Sequence, residues 1–272
     1  MSSREGSDAL RGDAGPIEAA EAVRCLLDLD PELGADLDPK LFRLARAAAT
    51  VITIETEPGR LLLSSWLERA CPGPGVLVLD GILALRVRVG GRTTVELLGA
   101  GDLLTPAQDA ADWLLACDSS WRALVPMRFA LLDEGFARRI RFWPQISQAL
   151  VRRLSSRVIN LNIQRAIAAQ PRLEVRLALL LWHLASRWGR VEREGVRLCV
   201  PLTHQLLGHL VGAERPSISH ALARLAQHGL VTGHGDEWHL QGRLEDRLPT
   251  MIEPAAESAG MIIAALAPTP AS

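Results

Sequence analysis

The side chains of this chain best suited to chemistry cluster between Thr203 and His239, and their types suit recognition of an anionic, hydrogen-bonding surface rather than bond making. Arg215 offers a planar fork of donors, Thr203, Ser217 and Ser219 offer hydroxyls, Gln205 an amide, and His204, His220 and His234 rings that donate or accept. Six of the seven histidines lie in residues 201–240, where Arg215 and Arg224 stand against Glu214, Asp236 and Glu237. Histidines are mostly neutral at pH 7, so phosphate affinity from this stretch alone is expected to be modest and sensitive to salt and pH, and dimerisation has to supply the rest. Catalysis finds no frame: no metal motif, nucleophile elbow or phosphate loop is present. Cys25, Cys71, Cys117 and Cys199 are far apart without metal-ligand spacing and read as small buried hydrophobes or free thiols. No catalytic residue, metal ligand or cofactor is therefore expected.

Two short helices must position the polar set. Leu206, Leu207, Leu210 and Val211 repeat at amphipathic spacing, with Thr203 placed to cap the first turn. Gly212 ends that helix, since glycine tolerates the left-handed backbone a sharp turn needs, and Gly208 lets the next helix come close. The second helix starts at Arg215 or Pro216, where a missing N–H costs nothing. Its buried stripe is Ile218, Ala221, Leu222 and Leu225, leaving Arg215, Ser217, Ser219, His220 and Arg224 outward. A second helix with a polar N-terminal end is what a helix-turn-helix inserts into the major groove. Leu230-Val231 and Trp238 with Leu240, around a glycine-rich tip, predict a hairpin wing.

Residues 201–240 resemble the C-terminal module of the CRP/FNR family of bacterial transcription regulators, through the start Leu202-Thr-His-Gln205, the Val211-Gly212 turn and the wing Leu230-Val-Thr-Gly-His-Gly235. The resemblance implies that Arg215 takes the place of the family's guanine-reading arginine and that His220 replaces a second base-contacting arginine. It also implies that Thr203, Gln205, Ser217 and His234 hold phosphates, with His204, Ser219 and Arg224 completing the DNA-binding set. Pro216 departs from it, standing where better-known members carry a glutamate that accepts from cytosine, so the recognised site is expected to differ. The alternative is a winged helix kept for protein contact, a scaffold that binds no DNA.

Upstream, the 272 residues, 48% apolar and with net charge −1, are enough for about two domains. No apolar run reaches a membrane span and no secretory signal opens the chain, so a cytoplasmic protein is expected. Residues 1–38 carry ten acids against three arginines and read as an acidic extension. Ile17, Ala20, Val23, Leu26 and Leu27 keep helical spacing, but a solvated lead-in is the preferred reading there. Leu41, Phe42, Leu44 and Ala45 suggest a helix over Pro39–Ala49.

Between residues 50 and 128 the period changes. Val51–Ile54, Leu61–Leu63, Val76–Leu79, Ile82–Val89, Thr93–Leu98 and Arg122–Val125 are short β-rich runs, and Gly90-Gly91 makes a tight hairpin. They predict a small antiparallel roll. The order of Val78-Leu-Asp-Gly-Ile-Leu83, Gly90-Gly-Arg92 and Leu97-Leu-Gly-Ala-Gly-Asp-Leu103 is similar to the family's cyclic-nucleotide-binding roll. In that family a Gly-Glu pair holds the ribose and an arginine about nine residues later holds the cyclic phosphate. Here Thr105-Pro106 stands in place of the pair, and no arginine or lysine occurs between Arg92 and Arg122. Asp109 and Asp112 would each repel a phosphate by ~1 kcal/mol or more in a close, partly dry pocket. Cyclic AMP and cyclic GMP are therefore not expected as effectors, and the effector, if one exists, is some other small molecule. Arg92, Asp102, Trp113 and Trp121 are the candidate pocket residues, the tryptophans as a stacking surface; packing in the core is the commoner use of such rings. With no histidine in the roll, His-ligated haem there is disfavoured.

Phe129–Leu132 reads as a short helix, and Pro144 opens a long one to about Ala169. Ile146, Leu150, Leu154, Val158 and Leu161 form a narrow stripe suited to a two-helix seam, or to packing on the chain's own roll. Seven arginines against one acid between Glu134 and Arg165 make its other face basic, able to steer DNA or pair with the acidic N-terminus. A further helix spans Leu173–Trp188, stopped by Gly189, and a strand covers Val196–Val200. His183 reads as a packed or half-exposed histidine, and the tail after Gln241 as mobile apart from a weak helix near Met261–Leu266.

The expected architecture is α+β: an acidic extension (1–38), a jelly-roll-like antiparallel β-roll sensor (39–133), a long dimerisation helix (134–170), a winged helix-turn-helix (171–242) and a flexible tail (243–272). The expected function is a homodimeric regulator on a near-palindromic double-stranded DNA site, with RNA polymerase as a possible partner and no membrane contact.

Overall fold

The computed structural model describes residues 20–105, 117–193 and 195–242. The chain divides into two compact units, the first ending at Leu161 and the second beginning at Asn162. The architecture is α+β, an antiparallel roll with helices followed by a helix-turn-helix unit, as the sequence predicts. No helix among the described residues is long and apolar enough to cross a membrane.

In the first unit the elements run β1 (Ala20–Cys25), α1 (Leu26–Leu29), a 3-10 turn (Pro31–Gly34), α2 (Phe42–Ala48), β2 (Thr50–Thr56), β3 (Gly59–Leu61) and α3 (Leu63–Ala70). They continue with β4 (Gly75–Asp80), β5 (Ile82–Val89), β6 (Arg92–Gly99), β7 (Leu103–Leu104), β8 (Asp118–Ala123), β9 (Met127–Leu132) and α4 (Glu134–Ile140). The long helix α5 (Pro144–Ala168) starts in this unit. One sheet has the order β1-β2-β9-β4-β7 and the other β3-β8-β5-β6, every pairing antiparallel. The turn joining β5 to β6 is Gly90-Gly91, both at positive φ (54° and 80°), as a two-residue hairpin needs.

Strand β9 explains how the layers form. Phe129 and Leu131 point into the roll, where they meet Ile54, Val76, Leu83 and Leu98. Ala130 and Leu132 point the other way, onto a cluster with Leu27, Phe136, Ile146 and Leu150 from the helices. A strand buried on both faces loses its polar alternation and becomes a continuous apolar run. Phe129–Leu132, read from sequence as a short helix, is therefore strand, at the middle of its sheet.

Four further expectations change. Ala20–Cys25 is neither helix nor solvated lead-in: it pairs with β2 from Ala20↔Glu55 to Cys25↔Thr50, and Leu26, Leu27, Leu33 and Leu37 behind it are buried. The acidic stretch is thus partly core, and residues 1–19 of the expected extension lie outside the described residues. The run Leu61–Leu63 ends as strand at Leu61 and enters α3, and the strand expected over Arg122–Val125 begins earlier, at Asp118. Along α5 the expected stripe divides. Ile146 and Leu150 are buried in the first unit's own core with Leu154 packed against it, whereas Val158 is 57% exposed, next to Val151 (60%) and Ile159 (59%).

The basic face of α5 is largely spoken for within the unit. Arg153 donates to both Asp30 oxygens at 3.0 Å and to Glu32 at 2.8 Å, and Arg152 to Asp36 at 2.7 Å. Burial pushes the Asp30 carboxyl above the usual carboxylate range; the Arg153 guanidinium opposes that rise and the Glu32 carboxylate adds to it. Arg157 makes a bidentate pair with Glu96 on β6, both contacts 2.8 Å, with little solvent around either group.

The second unit holds α6 (Leu173–Trp188), β10 (Gly189–Glu192), β11 (Gly195–Leu198), α7 (His204–Val211), α8 (Arg215–Gln227), β12 (Val231–His234) and β13 (Glu237–Gln241). Its sheet has the order β10-β11-β13-β12, and β12 with β13 is the expected wing hairpin. Trp238 is fully buried beneath it, its Nε1 donating to the Gly235 carbonyl at 3.2 Å.

His183 on α6 introduces a pH dependence. Its Nε2 is buried without a hydrogen-bond partner, and burial, with the Arg187 charge one turn on, lowers its pKa from the ordinary value. The folded unit therefore favours the neutral ring. The unfolded chain binds the proton more readily, so this contribution is intact above about pH 6.5 and is lost as pH falls below it. Urea midpoints at acidic and neutral pH are expected to converge in His183→Leu relative to wild type; an unchanged difference would rule the ring out as the cause.

Candidate nucleic-acid interface

Helix α7 begins with the cap the sequence implies: Thr203 is extended and its Oγ1 accepts from the Leu206 N–H at 3.1 Å. It ends at Gly212, whose φ of 69° lies in the left-handed region. At Gly208 a Cβ would fall 2.5 Å from the Ala213 carbonyl oxygen, so the corner between the helices closes around a missing side chain. Helix α8 then starts at Arg215 with Pro216 in its first turn, and buries Ile218, Ala221 and Leu225.

The N-terminal end of α8 presents Arg215, Pro216, Ser217 and His220 to solvent, and Thr203 and Gln205 are exposed at the start of α7. His204 and Ser219 are half-buried and bound to each other, Nδ1 to Oγ at 2.8 Å, with Ser219 Oγ also donating to the Arg215 carbonyl at 3.3 Å. Ser219, expected to face outward, instead ties α8 to α7. Arg224 is exposed on one side but pairs with Glu174 of α6 at 2.6 Å. Its charge is partly neutralised within the unit, which its place in the sequence did not suggest. His234 stands on β12, in register with Glu237.

Two residues that sequence reasoning missed hold this geometry. Glu174 anchors α8 through Arg224, and Arg176, two positions on, donates from Nη1 to the Val211 carbonyl at 2.9 Å, bracing the C-terminal end of α7. Neither belongs to a local motif, because the partners lie dozens of residues away.

Of the residues expected to line an effector pocket, Arg92 and Asp102 stand apart. Arg92 is the first residue of β6, whose eight residues span roughly 25 Å at strand rise, and Asp102 lies three residues past its other end. Asp102 is buried and accepts from the Gly99 N–H at 2.7 Å, locking its own turn. Trp121, on β8, packs against the core of the roll, and Trp113 lies outside the described residues.

An antiparallel roll followed by a helix pair and a β-wing defines a winged helix-turn-helix protein with a roll at its N-terminal side. A family profile described as "Crp-like helix-turn-helix domain" matches residues 175–243. Two strains of Mycobacterium tuberculosis carry a "CRP-like cAMP-activated global transcriptional regulator" that is 33% identical over 121 residues, 43% of this chain and 53% of the relative. The chain thus spans about half the length of the curated relatives it matches. Among solved structures, a cyclic nucleotide-binding domain containing protein from Listeria monocytogenes gives a TM-score of 0.58 at 14% identity, covering 78% of this chain and 97% of that one. A CooA mutant from Carboxydothermus hydrogenoformans gives 0.54 at 15%, covering 80% and 92%. The c-di-GMP responsive regulator CLP from Xanthomonas campestris gives 0.51 at 18%, covering 76% and 100%. The chain carries a Crp-like helix-turn-helix domain over residues 175–243 and shares the fold of these solved structures. The matched relatives are named as transcriptional regulators.

Proposed function

We propose that this chain is a homodimeric, sequence-selective DNA-binding transcription regulator whose helix α8 enters the major groove of a near-palindromic site. The observation that carries this reading is the polar N-terminal end of α8, with Arg215, Ser217 and His220 exposed on a helix braced from behind. In this reading Arg215 reads a guanine edge with its two-pronged guanidinium, and Thr203, Gln205 and Ser217 hold phosphates. Two α5 helices pair through Val151, Val158 and Ile159, whose exposure in the single chain favours such a seam. An effector acts by shifting the population between two arrangements of that seam. It is a molecule other than cyclic AMP, since Thr105 stands where the family carries the first residue of its ribose-binding pair.

Gel-shift titration against genomic fragments tests the reading. Wild type is expected to retain a subset of fragments with an affinity that micromolar cyclic AMP leaves unchanged. Arg215→Ala is expected to lose about 1–3 kcal/mol of binding and to relax its selectivity. Equal retention by wild type and variant, with thermal melting unchanged in both, would refute a base-reading role for α8.

A further inference from the structure

A cavity of about 490 Å³ opens in the first unit, between the roll and its two following helices. One wall is the segment Cys71–Pro74 with Leu103 on β7 and Thr105 just after it; the other is Ala137 and Ile140 of α4 with Ser147, Leu150, Val151 and Leu154 of α5. The interior of the roll is separately packed by Phe129, Leu131, Val76, Leu98 and their neighbours, so this space is not the inside of the roll. Its volume is that of a small-molecule site, and its walls are mainly aliphatic.

We infer that this cavity binds an uncharged, largely apolar small molecule. Among the described residues, none of the twelve that line it carries a charge, so an ionised ligand would lose its hydration with no opposite charge on these walls to replace it. The polar groups on the walls are small and neutral: the Thr105 and Ser147 hydroxyls and the Cys71 thiol. They can orient a single carbonyl, hydroxyl or amide on an otherwise aliphatic or aromatic body. The walls are also fixed before any ligand arrives. A Cβ on Gly73 would fall 2.4 Å from the Leu132 carbonyl oxygen, so the rim presses directly on neighbouring backbone. Leu103, Ile140 and Leu150 belong to the buried cluster that seats α5. A ligand here therefore adds contacts to roll and helix together, and through α5 it would act on the seam described under the proposed function. Only that regulatory consequence rests on the DNA-binding reading; ligand binding does not.

The test uses the full chain and the neutral fluorophore N-phenyl-1-naphthylamine. Its emission should rise and shift to the blue, saturating at one probe per chain, and bound probe should slow maleimide labelling of Cys71. Ser147→Trp fills the cavity from α5 and Ala137→Trp from α4, so a folding failure in one leaves the other informative. Each should weaken the probe by about tenfold or more, and the anionic anilinonaphthalene sulfonate should bind wild type about tenfold more weakly than the neutral probe. Probe binding unaltered in both variants would overturn the assignment. So would sulfonate binding of equal strength, or probe binding that vanishes as chains associate, which would mean that a second copy fills the space. Retention of DNA by the two variants, read separately, keeps a failure of this inference distinct from a failure of the regulator reading.

Discussion

Trp238→Ala is expected to destabilise the C-terminal unit by about 3–5 kcal/mol, the cost of emptying a large aromatic site in a closed core. Trp238 sits on β13, opposite Leu198 on one side and Gly233 on the other, and is among the largest fully buried side chains of the chain. It also closes the wing, because its ring N–H satisfies the Gly235 carbonyl. Trp238→Phe keeps much of the packing and gives up that hydrogen bond, so it should recover most of the loss, short by about 1 kcal/mol plus the missing ring volume. Urea titration followed by circular dichroism measures both variants. A loss below about 1 kcal/mol for the alanine variant would mean that the wing is not seated on this ring.

The second large effect is expected in the first unit. Arg157→Ala strands the Glu96 carboxylate in a site with little solvent, and removing one partner of such a pair costs about 2–4 kcal/mol after allowance for its partial exposure. The double variant Arg157→Met, Glu96→Leu should regain most of this, since an apolar pair of similar size removes the uncompensated charge instead of leaving it. The same denaturation experiment decides the matter. If the double variant is no more stable than Arg157→Ala alone, the pair matters through shape rather than charge.

The helix-turn-helix was readable residue by residue because each of its signals is local. A capping threonine, a glycine at the left-handed position and a first-turn proline each act within a few residues, and all three stand where the sequence placed them. What escaped is what depends on distant partners. Ser219 is drawn inward by His204, fifteen positions earlier, and Arg224 is claimed by Glu174 on another helix. Strand β9 escaped for a different reason: with both faces buried, Phe129–Leu132 has no alternation to betray its period. In β1 the good helix formers Ala20, Glu21 and Ala22 hid an edge strand whose conformation is set by pairing with β2. The stripe along α5 was half right, since periodicity marks apolar positions but not which neighbour covers them. Ile146 and Leu150 turned out to serve the roll.

The corner between α7 and α8 is held on every side: a left-handed glycine at Gly212, no room for a side chain at Gly208, and two braces from α6. A module so preorganised gives up little conformational entropy on docking, so the free energy of its contacts goes into association rather than into refolding. Its heat-capacity change on complex formation should then be small, matching the area of the contact alone, in contrast to regulators whose reading segment orders only against its target.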